Sequence, residues 1–213
     1  MSQPFNHATL QLAAQHLSAV DPILKPVILH AGPPRISPHQ NYYQELVESI
    51  ISQQLSVKAA ATILKRFIEL FPDEPFPSPQ SIITKDIETL RSVGLSRQKA
   101  SYIQDLASKV IDGSVQFHHL DQLSNDEIIA ELTQIKGVGV WTVHMFLLFC
   151  MGRLDVLPVG DLGIKNGVQK LYNLPEKPSA EEVERIAEKN NWHPYESVAS
   201  WYVWQSLNNT PNL

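Results

Sequence analysis

The stretch IKGVGVWTVHMFLLFC, residues 135–150, sets Gly137 and Gly139 directly ahead of a strongly apolar run. Just upstream, Ile128, Ile129, Leu132 and Ile135 recur at helical spacing, and Ser124 followed three residues on by Glu127 is a capping box. The segment therefore reads as a helix, a glycine turn and a second helix beginning near Val140. Glycine permits positive φ at both turn positions and leaves the backbone N–H groups uncovered by any Cβ. Unsatisfied N–H groups at a helix start favour a phosphate, so this hairpin is suited to gripping a nucleic-acid backbone without reading sequence. An ordinary turn between two packed helices explains the two glycines equally well.

Working outward, the periodicity is helical almost throughout. Leu46, Ile50 and Ile51 share one stripe; Ala60, Ile63, Leu64, Phe67 and Phe71 share another. Helix starts are signalled at Asp21, Ser56, Ser96 and Ser124, and at Ser179, which has Glu182 three residues on and so forms a second capping box. No run alternates as a half-buried strand does, so the expected class is all-α with about ten helices. The proline-rich FPDEPFPSPQ, residues 71–80, is expected to be an extended connector.

With 213 residues, 43% of them hydrophobic, the chain is long enough for a substantial core. The longest apolar run is interrupted by His144 and is too short to span a bilayer, and the start shows no secretory pattern. The single cysteine, Cys150, excludes an internal disulfide and any four-cysteine zinc or iron–sulfur site, and fits a reducing compartment. A net charge of −5 argues mildly against a nucleic-acid partner. The charge is unevenly placed, however. Arg91, Arg97 and Lys99 surround one turn, Lys136 sits in the hairpin and Lys165 and Lys170 follow Asp161, while acids concentrate in SAEEVERIAEK, residues 179–189.

Several ordered motifs together resemble one family. DPILKPVILHAGPPRI, LVESIISQQLSVKAA, VGLSRQKASYIQDLA, LTQIKGVGVWTVHMFLL, LPVGDLGIK and WHPYESVASWYVW succeed one another as in the helix-hairpin-helix (HhH-GPD) DNA glycosylases, nearest the alkylbase branch of the DNA-3-methyladenine glycosylase II type. The likeness covers nearly all the chain after about residue 20. It implies a single glycosylase domain over residues 1–213, built as two interleaved helical lobes with the active-site cleft between them and the hairpin motif at about 124–150. With about 20 residues ahead of the first motif, the N-terminal β domain of some relatives is not expected.

The resemblance also implies an activity and its residues. The expected reaction is monofunctional hydrolysis of the N-glycosidic bond of alkylated purines such as 3-methyladenine in double-stranded DNA. Asp161 stands where the family has its catalytic aspartate, which either stabilises positive charge at the sugar or orients and deprotonates water. A helix N-cap is the alternative role for this side chain. Trp141 and Trp204 match pocket tryptophans, with Met145 and Tyr195 completing the lining. Trp192, Trp201 and Tyr202 sit at spacings of a buried seam. Gln53 and Gln54 are expected to meet the opened minor groove, Gln53 having mutual amide bonding as its alternative. Leu95 or Arg97, in the turn that includes Ser96, is the expected wedge.

Lys136, Gly137, Val138, Gly139 and Lys165 complete the DNA-facing set. The carbonyls of Thr133, Ile135 and Val138 are candidates for a structural monovalent cation, sodium or potassium; no cofactor is required. Expected partners are damaged double-stranded DNA and no membrane, with a monomeric protein. The expected location is cytoplasmic at the nucleoid in a bacterium, or nuclear in a eukaryote. Three positions depart from the usual pattern: Lys136 replaces a frequent proline, Met145 a tyrosine of some relatives and Glu196 a usual arginine. A non-catalytic hairpin module for DNA binding is the competing class, and it accommodates Glu196 and the acidity.

Overall fold

The structure, a computed structural model, describes residues 5–34 and 36–207. Among them there are twelve α-helices, one 3₁₀ segment and one π turn, and no strand. Helices start at side chains that can satisfy orphan N–H groups. Ser56, Ser96, Ser124 and Ser179 each accept from the N–H three residues on, and both capping boxes are formed. Asp21 closes α1 (His7–Val20) instead, while its Oδ1 accepts the N–H groups of Ile23 and Leu24 ahead of α2 (Lys25–Ala31). The proline-rich segment is not extended to its end: Ser78 caps a short helix, α5 (Pro79–Ile83), with proline in its first turn, where a missing N–H is harmless.

The chain divides into two compact units. Among the described residues, one joins the stretch before Asn41 to residues 144–207; the other is Asn41–Val143. In the second, α7 (Arg97–Ile111) packs against α3 (Tyr42–Ser52), α5 and α6 (Ile87–Ser92), and α3 packs against α4 (Val57–Glu69). The stripe Leu46, Ile50 and Ile51 is buried there, as are Ile128, Leu132 and Ile135 around α8 (Asn125–Leu132). Leu95 also lies in this core, 4% exposed.

In the first unit, α12 (Glu196–Gln205) packs against α1, α2 and α10 (Leu162–Leu171). Its buried seam includes Trp201, Tyr202 and Trp204, and Trp192 is buried nearby with its Nε1–H donated to Asp21 Oδ2 at 2.8 Å. Two glycines one turn apart set how closely α10 and α12 approach. A Cβ at Gly167 would fall 2.4 Å from Val203 Cγ1, and one at Gly163 would fall 2.9 Å from Trp204 Cδ1. Helix α9 (Val140–Met145) starts in one unit, crosses the boundary after Val143 and runs on into the π turn Phe146–Cys150.

Candidate active site and nucleic-acid interface

Asp161 is the N-cap of α10. Its Oδ1 accepts the N–H of Ile164 and the Nε1–H of Trp204, both at 2.8 Å. Negative charge at a helix N-terminus is favourable, and two donors on one oxygen fix the carboxylate's orientation. The capping role read from sequence is thus present, and it leaves the side chain 8% exposed beside a buried indole. Gly163 makes the pair possible: a Cβ there would stand 3.0 Å from both Asp161 Oδ1 and Trp204 Nε1. Gly163 and Gly167 are not among the residues expected at the site from sequence. Their signal was the glycine pair four residues apart in LGIKNG, which marks a close helix contact.

The four expected pocket residues separate by exposure. Trp141 is 46% exposed, and Tyr195 is half-buried, edge-on to His16 at 5.2 Å between ring centroids. Trp204 is 1% and Met145 2% exposed, both within the core of the first unit. Neither offers an accessible face, where both were expected to line the base pocket. Trp204 instead bonds Asp161 and stacks on Phe149, with centroids 5.8 Å apart. His144, one residue before Met145, is half-buried, and burial pulls its imidazole below the ordinary histidine value.

At the hairpin the two glycines have different reasons to be glycine. Gly137 takes φ +80, and a Cβ there would lie 2.1 Å from Cδ2 of Tyr102, so both the backbone and the space exclude a side chain. Gly139 is not in the left-handed region, contrary to expectation, and a Cβ there would meet nothing within 4 Å. The donors are also redistributed. The N–H of Val138 is given to Ile135 O at 3.0 Å and that of Lys136 to Asp105 Oδ2 at 2.9 Å, so neither points to a ligand. Among the described residues, Gly139 and Val140 keep N–H groups without a backbone or side-chain partner.

The expected wedge and basic groups also change. Leu95 is buried, so only Arg97 of the two wedge candidates is presented at the surface, beside Ser96, whose Oγ caps α7. Arg97 and Arg91 both pair with Glu88, and Lys136 Nζ faces Asp105 Oδ1 at 3.2 Å. Lys99 points inward to the carbonyls of Ile51 and Gln53, at 2.9 and 2.5 Å, and burial lowers its pKa. Lys165 is half-buried on the first turns of α10. Gln54 is exposed, at φ 58, while Gln53 donates its Nε2–H to Gly137 O at 2.9 Å and does not pair with its neighbour. Glu196 Oε1 lies 2.9 Å from His193 Nδ1, and its Oε2 is buried without a partner.

Among the described residues no helix is long and apolar enough to cross a membrane. The family model described as HhH-GPD superfamily base excision DNA repair protein matches residues 47–192. DNA-3-methyladenine glycosylase 1 of Schizosaccharomyces pombe is 37% identical, over 93% of this chain and 88% of its own. The alkylbase DNA glycosidase-like protein mag2 of the same yeast is 33% identical, over 91% of this chain and 92% of its own. Among solved structures, the S. pombe 3-methyladenine DNA glycosylase in complex with abasic DNA superposes with a TM-score of 0.79 at 36% identity, covering 94% of this chain and 98% of that one. A DNA-3-methyladenine glycosidase from Bacillus halodurans gives 0.80 at 35% identity, over 91% and 88%.

Proposed function

The chain belongs to the HhH-GPD superfamily of base excision DNA repair proteins, and from that premise we propose that it is a monofunctional DNA glycosylase hydrolysing the N-glycosidic bond of alkylated purines such as 3-methyladenine. The observation that carries this reading is Asp161, a carboxylate 8% exposed and held by two N–H donors on one oxygen. Breaking the bond between base and sugar develops positive charge at C1′. A fixed negative charge beside that carbon stabilises it, and the same carboxylate can orient the water that completes hydrolysis. The names of the yeast and bacterial relatives support 3-methyladenine and related alkylated bases as the substrate class.

A base inside duplex DNA is out of reach, so it must be turned out of the stack. Gly139 and Val140 supply N–H groups for backbone phosphate, and Gln54 is the exposed side chain to occupy the opened helix. The indole of the partly exposed Trp141 suits an electron-poor or cationic purine, which an aromatic face attracts. The carbonyls of Thr133, Ile135 and Val138 are neutral oxygens, the donor type of a hard monovalent cation. Ile135 O already accepts from Val138 N–H, which leaves its second lone pair for an ion. We further infer that the protein acts as a monomer wherever the cell keeps its DNA.

The test is to incubate the purified protein with methylated duplex DNA and identify the released bases by chromatography. Release of 3-methyladenine, with an intact abasic strand left behind, is the expected result. Protein that binds duplex DNA but releases no base from methylated, deaminated or etheno-modified substrate would overturn the reading.

A further inference from the structure

One face of α7 carries three contacts at intervals of three residues. Lys99 Nζ donates to the carbonyls of Ile51 and Gln53, the ring of Tyr102 lies against Gly137, and Asp105 Oδ2 accepts the N–H of Lys136. The helix thus holds two separate segments, the turn after α3 and the hairpin. A fourth bond joins those segments to each other: Gln53 Nε2 donates to Gly137 O at 2.9 Å, across 84 residues of sequence. Between these fixed points stands Gln54, exposed and at φ 58. A non-glycine residue in the left-handed region is strained by about 1 kcal/mol, and it persists only where its surroundings over-determine it. Here the surroundings are the carbonyl of Gln53, clamped by Lys99, and the amide of Gln53, clamped to the hairpin.

We propose that Gln53 is a positioning residue that locks the Gln54 turn to the hairpin, so that phosphate capture at Gly139 and insertion of Gln54 into the opened helix happen as one event. The inference rests on the proposed function for its DNA step. Its mechanical part concerns the free protein alone. A rigid link between the two segments means that the gap-probing side chain arrives in register whenever the hairpin seats on a phosphate, and no separate loop ordering is needed at that moment. Lys99, Tyr102 and Asp105 set the spacing, and Gln53 closes the figure.

Wild type, Gln53→Leu, Gln53→Glu, Gln54→Ala and the double variant Gln53→Leu with Gln54→Ala are compared on undamaged duplex and on duplex containing a tetrahydrofuran abasic analogue. Loss of one hydrogen bond predicts that both Gln53 variants lower the preference for the abasic duplex by about three- to tenfold. Affinity for undamaged duplex stays within about twofold, and the double variant is no worse than Gln54→Ala, because both act through one element. Hydrogen exchange in the DNA-free protein should rise in both segments on Gln53→Leu, read at their hydrogen-bonded amides, Leu55 and Val138. An unchanged preference, losses that multiply in the double variant, an equal fall on both duplexes, or faster exchange in only one segment each overturn the proposal. Wild-type protein with no preference for the abasic duplex sinks the DNA reading itself, and the exchange result then reports on the mechanical link alone.

Discussion

Asp161 combines two tasks at a single residue, and substitutions can separate them. Asparagine caps helices as well as aspartate does, so Asp161→Asn keeps an acceptor for Ile164 N–H and for Trp204 Nε1–H while removing the charge. Single-turnover excision should fall by about two orders of magnitude or more, with melting temperature and duplex affinity near wild type. Near-normal excision would mean that the carboxylate is only a cap. Trp204 gives a second test at this scale. Phenylalanine retains the ring that stacks on Phe149 but has no N–H for Asp161. A hydrogen bond to a charged acceptor contributes about 1.5 kcal/mol or more, so Trp204→Phe should slow excision about tenfold while duplex binding holds. If Trp204 acted instead as a stacking surface for the base, phenylalanine would preserve the rate and change only the preference among bases.

Among the elements, the hairpin separates what the fold requires from what a ligand requires. Gly137→Ala drives a Cβ into the Tyr102 ring at positive φ, and should destabilise the protein by about 2 kcal/mol or more, read as a lowered denaturation midpoint. Gly139→Val meets open space at an ordinary φ, so stability should change little, while affinity for every duplex sequence falls and its salt dependence becomes shallower. Equal binding by the Gly139 variant would remove the hairpin from the interface. This asymmetry was not legible in the sequence, where GVG shows two like residues. The helices themselves were, because caps and apolar stripes are local: Ser56, Ser96, Ser124 and Ser179 all start helices where expected. Asp161 as a cap was legible too, because an acid directly ahead of LGIKNGVQKL is a local helix-start signal. The burial of Leu95, Met145 and Trp204 was not, since the identity of a hydrophobic residue does not say which neighbours will cover it. Nor were the acids that pair with Arg97 and Lys136, which lie nine and thirty-one residues away in sequence.

For the molecule as a whole, the acidic balance bears on how DNA is held, and the lysine positions bear on the chemistry after the base leaves. Lysine and arginine number 17 against 22 aspartates and glutamates, and Arg97, Arg91 and Lys136 are already paired with acids. The two arginine pairs with Glu88 are exposed on both sides, and such pairs contribute about 1 kcal/mol or less, so a phosphate can replace that acid at little cost. A covalent course is another matter. Strand cleavage by β-elimination starts when a neutral amine attacks C1′ and forms a Schiff base. By its resemblance to relatives that cut, this chain has Trp141 where they have lysine, and indole carries no such amine. Lys136 lies before Gly137 and is held by Asp105 through both its backbone N–H and its ammonium. Lys99 is turned to two carbonyls, and Lys165 is on α10 beyond Asp161. Water is then the acceptor of the sugar, and the product is an intact abasic strand. Borohydride added during turnover should trap no protein–DNA adduct, and product strands should break only after alkali. An adduct formed as fast as base release would show that an amine does reach C1′, and Lys136→Ala and Lys165→Ala would identify which.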